Sequence, residues 1–326
     1  MPATGRTAEA VADVSWEDER TTDPGVPAEH VATAEGPVLV RMDGCEAGRL
    51  YPLVEQKSTV GRGTDNSIVM NDVGVSRRHA RLVSVGGKMV LEDVESRNGT
   101  YVRGKRVRRV ELHTGDIIQL GQTATFSYQR LSDPQQHLLR QLYESSTQDA
   151  LTGVCNRRHF TDRLAAEVAF SRRHETALGL VLIDIDHFKR INDEFGHAAG
   201  DVVLRQLGAT MQRQLRTEDI IARIGGEEFA VILRGIAIEG CARLADRLRS
   251  VVAAAQFLFE NGRLPVTISL GCASLRGSET TANMLSRLAD ARLYKAKRQG
   301  RNRVVAAGCG RNEGGLAESK DKNVAG

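Results

Sequence analysis

Two acidic groups at the ends of apolar strands are the residues of this chain best placed for chemistry. The run Leu178-Gly-Leu-Val-Leu-Ile-Asp-Ile-Asp186 reads as a strand of the fully buried kind that ends in Asp184 and Asp186. Burying an ionised carboxylate is costly unless it is paired or binds a metal. Further on, Ala222-Arg-Ile-Gly-Gly-Glu-Glu-Phe229 reads as two apolar strands that meet at Gly225–Gly226. Glycine accepts the positive φ of a tight hairpin and lets a ligand approach the backbone, so Glu227 is expected at a rigid, exposed tip. An acid at the mouth of one strand and a second on a neighbouring tip form the arrangement needed to hold Mg²⁺. Such an ion stabilises charge on a transferring phosphate and helps activate an attacking hydroxyl. Taken alone, the same acids also read as solvated strand ends.

The elements that must position these acids alternate between helix and strand from Asp149 onward. Helices are expected over Arg158–Arg173, Gly200–Leu215, Gly240–Ala255 and Ala282–Gln299, and strands over Ala177–Ile185, Ile220–Ile224, Glu228–Leu233 and Val266–Gly271. That order fits an α+β sandwich with antiparallel pairing. Ahead of it, Pro134 opens a short amphipathic helix, Pro134–Ser146, with Leu138, Leu142 and Ser145 on one face and Leu131 a heptad earlier. It is long enough to join two domains and too short for a stable coiled coil. From Pro37 to Arg130 the pattern is different. Short alternating segments (Val38–Met42, Ser67–Met70, Ala80–Val85, Lys88–Asp93 and Ile117–Leu120) are punctuated by glycines, which suggests an all-β sandwich.

Composition narrows the class. The 326 residues exceed one average domain, so two are expected. Hydrophobic residues make up 41% and charged residues 26%, an ordinary globular balance, and a net charge of +4 is too small to argue for nucleic acid. Five scattered cysteines without a CxxC pair argue against a disulfide scaffold or zinc site and suit a reducing cytosol. No signal peptide and no membrane-spanning run is read, so a soluble, cytoplasmic protein is expected. Residues 1–36, acidic and without periodicity, and the Gly-, Asn- and Lys-rich tail 306–326 are expected to be disordered.

Five segments carry a resemblance over residues 149–305: Asp149-Ala-Leu-Thr-Gly-Val-Cys-Asn-Arg-Arg158, Asp184-Ile-Asp-His-Phe-Lys-Arg-Ile-Asn192, Phe195-Gly-His-Ala-Ala-Gly-Asp201, Gly225-Gly-Glu-Glu-Phe229 and Tyr294-Lys-Ala-Lys-Arg-Gln-Gly-Arg-Asn302. In this order and spacing they closely resemble the GGDEF domain of bacterial diguanylate cyclases, which condense two GTP into cyclic di-GMP and pyrophosphate. The resemblance implies a palm-like central antiparallel sheet with flanking helices. It implies Mg²⁺, with Mn²⁺ as the alternative, held by the side chains of Asp184 and Glu227 and the carbonyl of Ile185. It makes Asn192 and Asp201 the guanine readers, with His197 in the same loop reading equally as a local packing group. Lys189, Lys297 and Arg301 become triphosphate contacts, with Lys189 also easing transition-state charge. Lys297 and Arg301 read alternatively as an exposed basic helix end. Glu228 fills the motif's fourth position, and Glu227 is an accepted acid at the third. Each domain would hold one GTP, so a homodimer is required for turnover.

Arg216-Thr-Glu-Asp219 ends shortly before Gly225, where the family has its inhibitory product site. Arginine suits both phosphate and guanine. Arg247 on the following helix reads as a secondary contact or as an exposed helix charge.

Upstream, Val60-Gly-Arg-Gly63, Val75-Ser-Arg-Arg-His79 and Ser96-Arg-Asn-Gly-Thr100 fall in order. Jointly they resemble the forkhead-associated (FHA) domain, a β-sandwich that binds phosphothreonine. Arg62 and Ser76 then look like phosphate ligands with Arg77 beside them, Asn98 like a peptide-backbone contact, and His79 like a brace. The partner is a phosphothreonine protein, or this chain's own Glu17-Asp-Glu-Arg-Thr-Thr-Asp23 with Thr21 or Thr22 modified. The expected organisation is a segment 1–36, an FHA domain 37–130, a linker helix 131–148, a GGDEF domain 149–305 and a tail 306–326. The expected activity is an FHA-regulated, product-inhibited diguanylate cyclase. The competing reading is a non-catalytic adaptor that binds GTP or cyclic di-GMP and is recruited to phosphoproteins.

Overall fold

A computed structural model describes residues 35–306 apart from 71, 73, 217, 261 and 276–279. The expected tail after 306 and nearly all of segment 1–36, with Thr21 and Thr22, lie outside the described residues.

The N-terminal part is all β. Its strands are β1 (Gly36–Arg41), β2 (Leu50–Pro52), β3 (Lys57–Gly61), β4 (Ile68–Val69), β5 (Ala80–Val85) and β6 (Lys88–Asp93). They are followed by β7 (Thr100–Val102), β8 (Lys105–Val107), β9 (Arg109–Glu111), β10 (Ile117–Leu120) and β11 (Ala124–Leu131). One sheet runs β2-β1-β11-β10-β7-β8 and the other β4-β3-β5-β6-β9. Leu39, Val60, Leu82, Leu91, Ile118, Phe126 and Tyr128 form the core of this sandwich. The expected sandwich is what is found. The reading misses β2 and β7 to β9, where three residues give too few alternating positions to show a period, and it also misses the longer β3 and β11.

A helix α1 (Asp133–Thr147) follows, opened by a capping box between Ser132 and Gln135 and by Pro134. None of its residues is buried, and Leu138 and Leu142 are exposed.

The C-terminal part comprises α2 (Arg157–His174), β12 (Leu178–Ile185), α3 (Phe188–Phe195), α4 (His197–Gln212), β13 (Ile220–Arg223) and β14 (Glu228–Arg234). Then come α5 (Ile238–Ala254), β15 (Phe257–Phe259), β16 (Gly262–Leu264), β17 (Ile268–Ser274), α6 (Ala282–Arg298) and β18 (Val304–Val305). The sheet order is β13-β14-β12-β17-β18. The first four strands pair antiparallel as expected, but β18 adds a parallel edge, so the sheet is mixed. The crossover through α6 returns the chain in the direction of β17, which only a parallel register accommodates.

Every residue of β12 is buried because helices cover both sheet faces. Leu178, Leu180 and Leu182 pack with Phe160 and Leu164 of α2 and Leu285, Ala289 and Leu293 of α6. Val181, Ile183 and Ile185 pack with Phe188, Val203, Leu207 and Leu248 from α3, α4 and α5. Besides the edge strand β18, three elements were absent from the sequence reading. These are α3, eight residues long, and the two strands of the β15–β16 hairpin. The following helix starts at His197 rather than Gly200.

Candidate active site

Strand parity decides where the first acid points. Side chains alternate along a strand, so Asp184 shares the face of Leu180 and Leu182, the face covered by α6. It stands opposite Glu228 of β14 and Ser269 of β17. The amide of Ile185 donates to the carbonyl of Glu227 at 3.3 Å, which fixes the hairpin beside the strand end. Asp184 and Glu227 therefore converge, although they are far apart in the chain. Burial pushes the Asp184 carboxyl above the usual carboxylate range against the pull of the Lys297 ammonium. Burial raises Glu227 too, with the charge on Asp184 as the next cause.

Lys297, from the last turn of α6, places its Nζ 2.6 Å from Asp184 Oδ2. It reaches so far because α6 lies directly on β17 at Gly271. A Cβ there would overlap the carbonyl of Ala289 and the amide of Leu293, and would stand 2.9 Å from Leu293 Cα. The ammonium marks the spot as one that stabilises a cation. Two carboxylates with a nearby main-chain carbonyl are hard oxygen donors, the type Mg²⁺ takes. Among the described residues no cluster of three or more acidic, His or Cys side chains is arranged to hold a metal.

The other strand-end acid is different. Asp186 is buried and fully engaged, accepting from Ser269 Oγ at 2.6 Å, Thr267 Oγ1 at 2.8 Å and the amide of Asn302 at 2.9 Å. It ties β12 to β17 and to the turn after α6, and has no role open to a ligand.

The positive φ expected at the hairpin glycines is not found. Neither Gly225 nor Gly226 has a left-handed φ. At Gly225 a Cβ would collide with the carboxylate of Glu228, while Gly226 faces open space. Glu227 is half-buried rather than at an exposed tip, and Glu228 is the exposed acid of the pair.

The sequence reading missed Arg223 and Asp149 as a unit. Arg223 donates from Nε and Nη2 to the carbonyl of Gly226, at 3.1 and 2.7 Å, and from Nη1 to Asp149 at 3.2 and 3.3 Å. One guanidinium thus ties the glycine hairpin to the first residue after the linker. Asp149 also accepts from the amide and hydroxyl of Thr152, at 2.9 and 2.7 Å. Burial would raise its pKa, but these hydrogen bonds and Arg223 hold it below the usual carboxylate range. Both residues lie inside quoted motifs; the signal was there, but the pairing of a charge before α2 with one in β13 was not.

The remaining residues of the expected site lie on α3, α4 and the end of α6. Asn192 is partly buried on α3, while Lys189, His197 and Asp201 are exposed. Arg301 lies in the turn after α6 with a left-handed φ of 61°, its amide bonded to the carbonyl of Ala296 at 3.1 Å. In the loop before β13 the amide of Arg216 donates to Asp219 Oδ2 at 3.0 Å, and the Arg216 guanidinium faces Glu218 at 3.9 Å. Arg247 on α5 donates to the carbonyl of Gln214 at 2.7 Å, which brings it to the same loop.

In the β-sandwich, the loops carrying the other motifs meet. Arg62 and Arg77 are exposed, and the amide of Arg62 donates to the carbonyl of Ser76 at 2.9 Å. Ser76 Oγ accepts from the amide of Arg97 at 3.0 Å, and Asn98 Nδ2 donates to the carbonyl of Gly74 at 2.9 Å. His79 is fully buried; its Nδ1 accepts from the amide of Ser76 at 3.0 Å and its Nε2 faces the carbonyl of Gly99 at 3.2 Å. Burial lowers its pKa. The neutral ring with its proton on Nε2 satisfies both contacts and braces the two loops.

Fold and site together define an α+β domain with paired acids at its central strand end, following an all-β domain. Residues 146–303 match the family described as "Diguanylate cyclase, GGDEF domain", and residues 58–121 match the FHA domain. The chain belongs to the GGDEF proteins and carries an FHA domain ahead of its GGDEF domain. It is 44% identical over 171 residues to the diguanylate cyclase DgcP of Pseudomonas aeruginosa, covering 52% of this chain and 25% of that protein. It is 36% identical over 214 residues to the response regulator PleD of Caulobacter vibrioides, covering 62% and 47%. The chain thus spans between a quarter and about half of the length of these relatives. Among solved structures it is similar to the coiled coil and GGDEF domain of DgcB from Caulobacter crescentus in complex with c-di-GMP. That match has 34% identity, covers 53% of this chain and 91% of the other, and has a TM-score of 0.50. Among the described residues no helix is long and apolar enough to cross a membrane.

Proposed function

We propose that the chain is a diguanylate cyclase whose activity is governed by phosphothreonine binding at its FHA domain. The observation that carries this reading is the convergence of Asp184 and Glu227 around a point already occupied by the Lys297 ammonium. Asp184, Glu227 and the Ile185 carbonyl hold Mg²⁺, or Mn²⁺ in its place. A divalent ion held by these residues would supply charge stabilisation at the α-phosphate and would favour the deprotonated form of the attacking hydroxyl. Lys297 and Arg301 hold the triphosphate, Lys189 faces the charge that builds up on transfer, and Glu228 completes the acidic hairpin. Asn192 and Asp201 read guanine, with His197 beside them. In each of two transfers a 3′-oxygen forms a bond to the α-phosphorus of the facing nucleotide, the bond to pyrophosphate breaks, and the hydroxyl proton leaves to solvent. Positioning and electrostatics supply the rate. Each subunit contributes half of the site, so the active species is a homodimer.

Arg216, Asp219 and Arg247 form a product-binding site, and Arg62, Ser76, Arg77 and Asn98 form the phosphopeptide site. The working division is 37–130, 131–148 and 149–305, with the helix between them carrying the signal. The test is incubation of the purified chain with GTP and Mg²⁺ and chromatography for cyclic di-GMP. The wild type forms product, and Glu227→Gln and Asp184→Asn form none while keeping the wild-type circular dichroism. Product from either variant refutes the metal assignment. GTP binding without product in the wild type favours the adaptor reading. Fluorescence anisotropy with a phosphothreonine peptide tests the other module, where Arg62→Ala and Asn98→Ala lose binding.

A further inference from the structure

We infer that Gly200 is a specificity-determining residue that seats the amide of Asn192. The inference rests on reading Asn192 as a guanine contact. Gly200 is buried in the first turns of α4. A Cβ built on it would overlap Asn192 Oδ1 outright and would stand 3.0 Å from Asn192 Cγ and 3.1 Å from Phe188 Cζ. The amide oxygen of Asn192 thus lies in the space that any other residue at 200 would fill. That oxygen is buried and has no hydrogen-bond partner among the described residues. A buried acceptor left without a donor is unfavourable, so its position is set by shape rather than by a bond of its own.

The main chain that carries the amide is held in place. The main-chain carbonyl of Asn192 accepts from the amide of Gly196 at 2.9 Å, and the carbonyl of Gly196 accepts from the amide of Ala199 at 3.1 Å. The α3–α4 corner is thereby closed, with Gly196 in the left-handed region at φ 83°. Phe188 and Ile191 anchor α3 in the core on either side. The other interior glycine of α4 makes a useful contrast. A Cβ at Gly208 would meet Thr152 Cβ at 3.4 Å, an ordinary packing distance. Gly208 is a packing position, whereas Gly200 leaves room for one polar group. The seat takes up the amide oxygen and so fixes the direction in which the Nδ2 donor meets a base edge.

In Gly200→Ala the amide must move by roughly 1 Å or more to regain van der Waals distance. Hydrogen-bond geometry does not survive such a shift. Alanine is the better helix former, so α4 itself is not weakened. The affected quantity is base selectivity. Calorimetric titration of the full chain with the α,β-methylene analogues of GTP and ATP, which cannot react, gives the guanine-over-adenine affinity ratio. A paired base contact is worth a roughly 5- to 150-fold discrimination. Gly200→Ala is expected to lose that factor, to fall to the ratio of Asn192→Ala, and to show no further loss in the double variant. Additive losses mean that Gly200 acts through helix packing, and overturn the inference. A wild-type ratio in Gly200→Ala overturns it as well, provided Asn192→Ala has lost selectivity. If Asn192→Ala keeps the wild-type ratio, the reading of Asn192 itself fails. If Gly200→Ala does not fold, the double variant decides, because it removes the overlap: folding regained supports the seat, and folding still lost refutes it.

Discussion

Replacing Asp149 by Asn tests whether the arginine bridge holds the catalytic hairpin. The substitution keeps the side-chain shape, and the amide oxygen can still accept from Thr152. What it loses is the charge that draws Arg223 Nη1 to 3.2 Å. The two side chains are 17% and 24% exposed, between the surface and the buried limit. Surface pairs contribute about 0–1 kcal/mol and breaking buried ones costs about 3–5 kcal/mol, so about 2 kcal/mol is expected. For a domain of this size, about 2–4 °C per kcal/mol gives a fall of about 4–8 °C in the melting transition of the C-terminal module. The functional effect has a separate origin. Arg223 freed from Asp149 no longer fixes the Gly226 carbonyl, and a shift of about 1 Å near reacting groups costs up to about 100-fold. The assays are thermal denaturation by circular dichroism and kcat for cyclic di-GMP. Arg223→Lys should be at least as damaging, since an ammonium cannot serve both partners as a fork does. Because Asp149 titrates below its ordinary value, its contribution is full above the unfolded-state pKa and is lost as pH falls through the folded one. An Asp149→Asn protein with unchanged melting and turnover refutes the bridge. A lower melting temperature with unchanged turnover leaves it a structural tie that does not position the hairpin.

Other substitutions probe other parts of the molecule. Gly271→Ala forces a methyl group against the backbone of α6 and should destabilise the module by about 3 kcal/mol, read by urea unfolding; unchanged stability contradicts the close contact. Lys297→Met leaves Asp184 buried and unpaired. With the lysine one-third exposed, the expected loss is about 1–3 kcal/mol in metal-free buffer, seen as a lower melting temperature. Asp93 accepts from the amide and hydroxyl of Ser96 and from Thr100. Burial opposes these bonds, but they hold its pKa below the ordinary value. Asp93→Asn should weaken the β-sandwich at neutral pH, and the gap to wild type should close as pH falls through the folded-state pKa; a gap independent of pH would argue against the lowered carboxylate. Arg216→Ala should relieve product inhibition in initial-rate assays with added cyclic di-GMP, and unaltered inhibition places the product elsewhere.

The two-module plan and the motifs of both modules were legible along the chain. Motifs such as Gly225–Phe229 and Asn98–Gly99 are local, and the long elements α2, α5, α6 and β12 carry enough turns or alternations to show their period. Most short elements did not, nor did the eight-residue β11, and α3 is the costly omission because Asn192 sits on it. Tertiary structure decided what depends on contacts between distant segments. It separated Asp184 from Asp186, which look alike in the chain: Ser269, Thr267 and Asn302 consume the second and leave the first to Lys297. It joined Asp149 to Arg223, and it gave the glycines their reasons. Gly271 admits a helix, Gly225 a carboxylate and Gly200 an amide. Periodicity is a property of neighbours along the chain, whereas the space left by a missing Cβ is set by whatever packs against it.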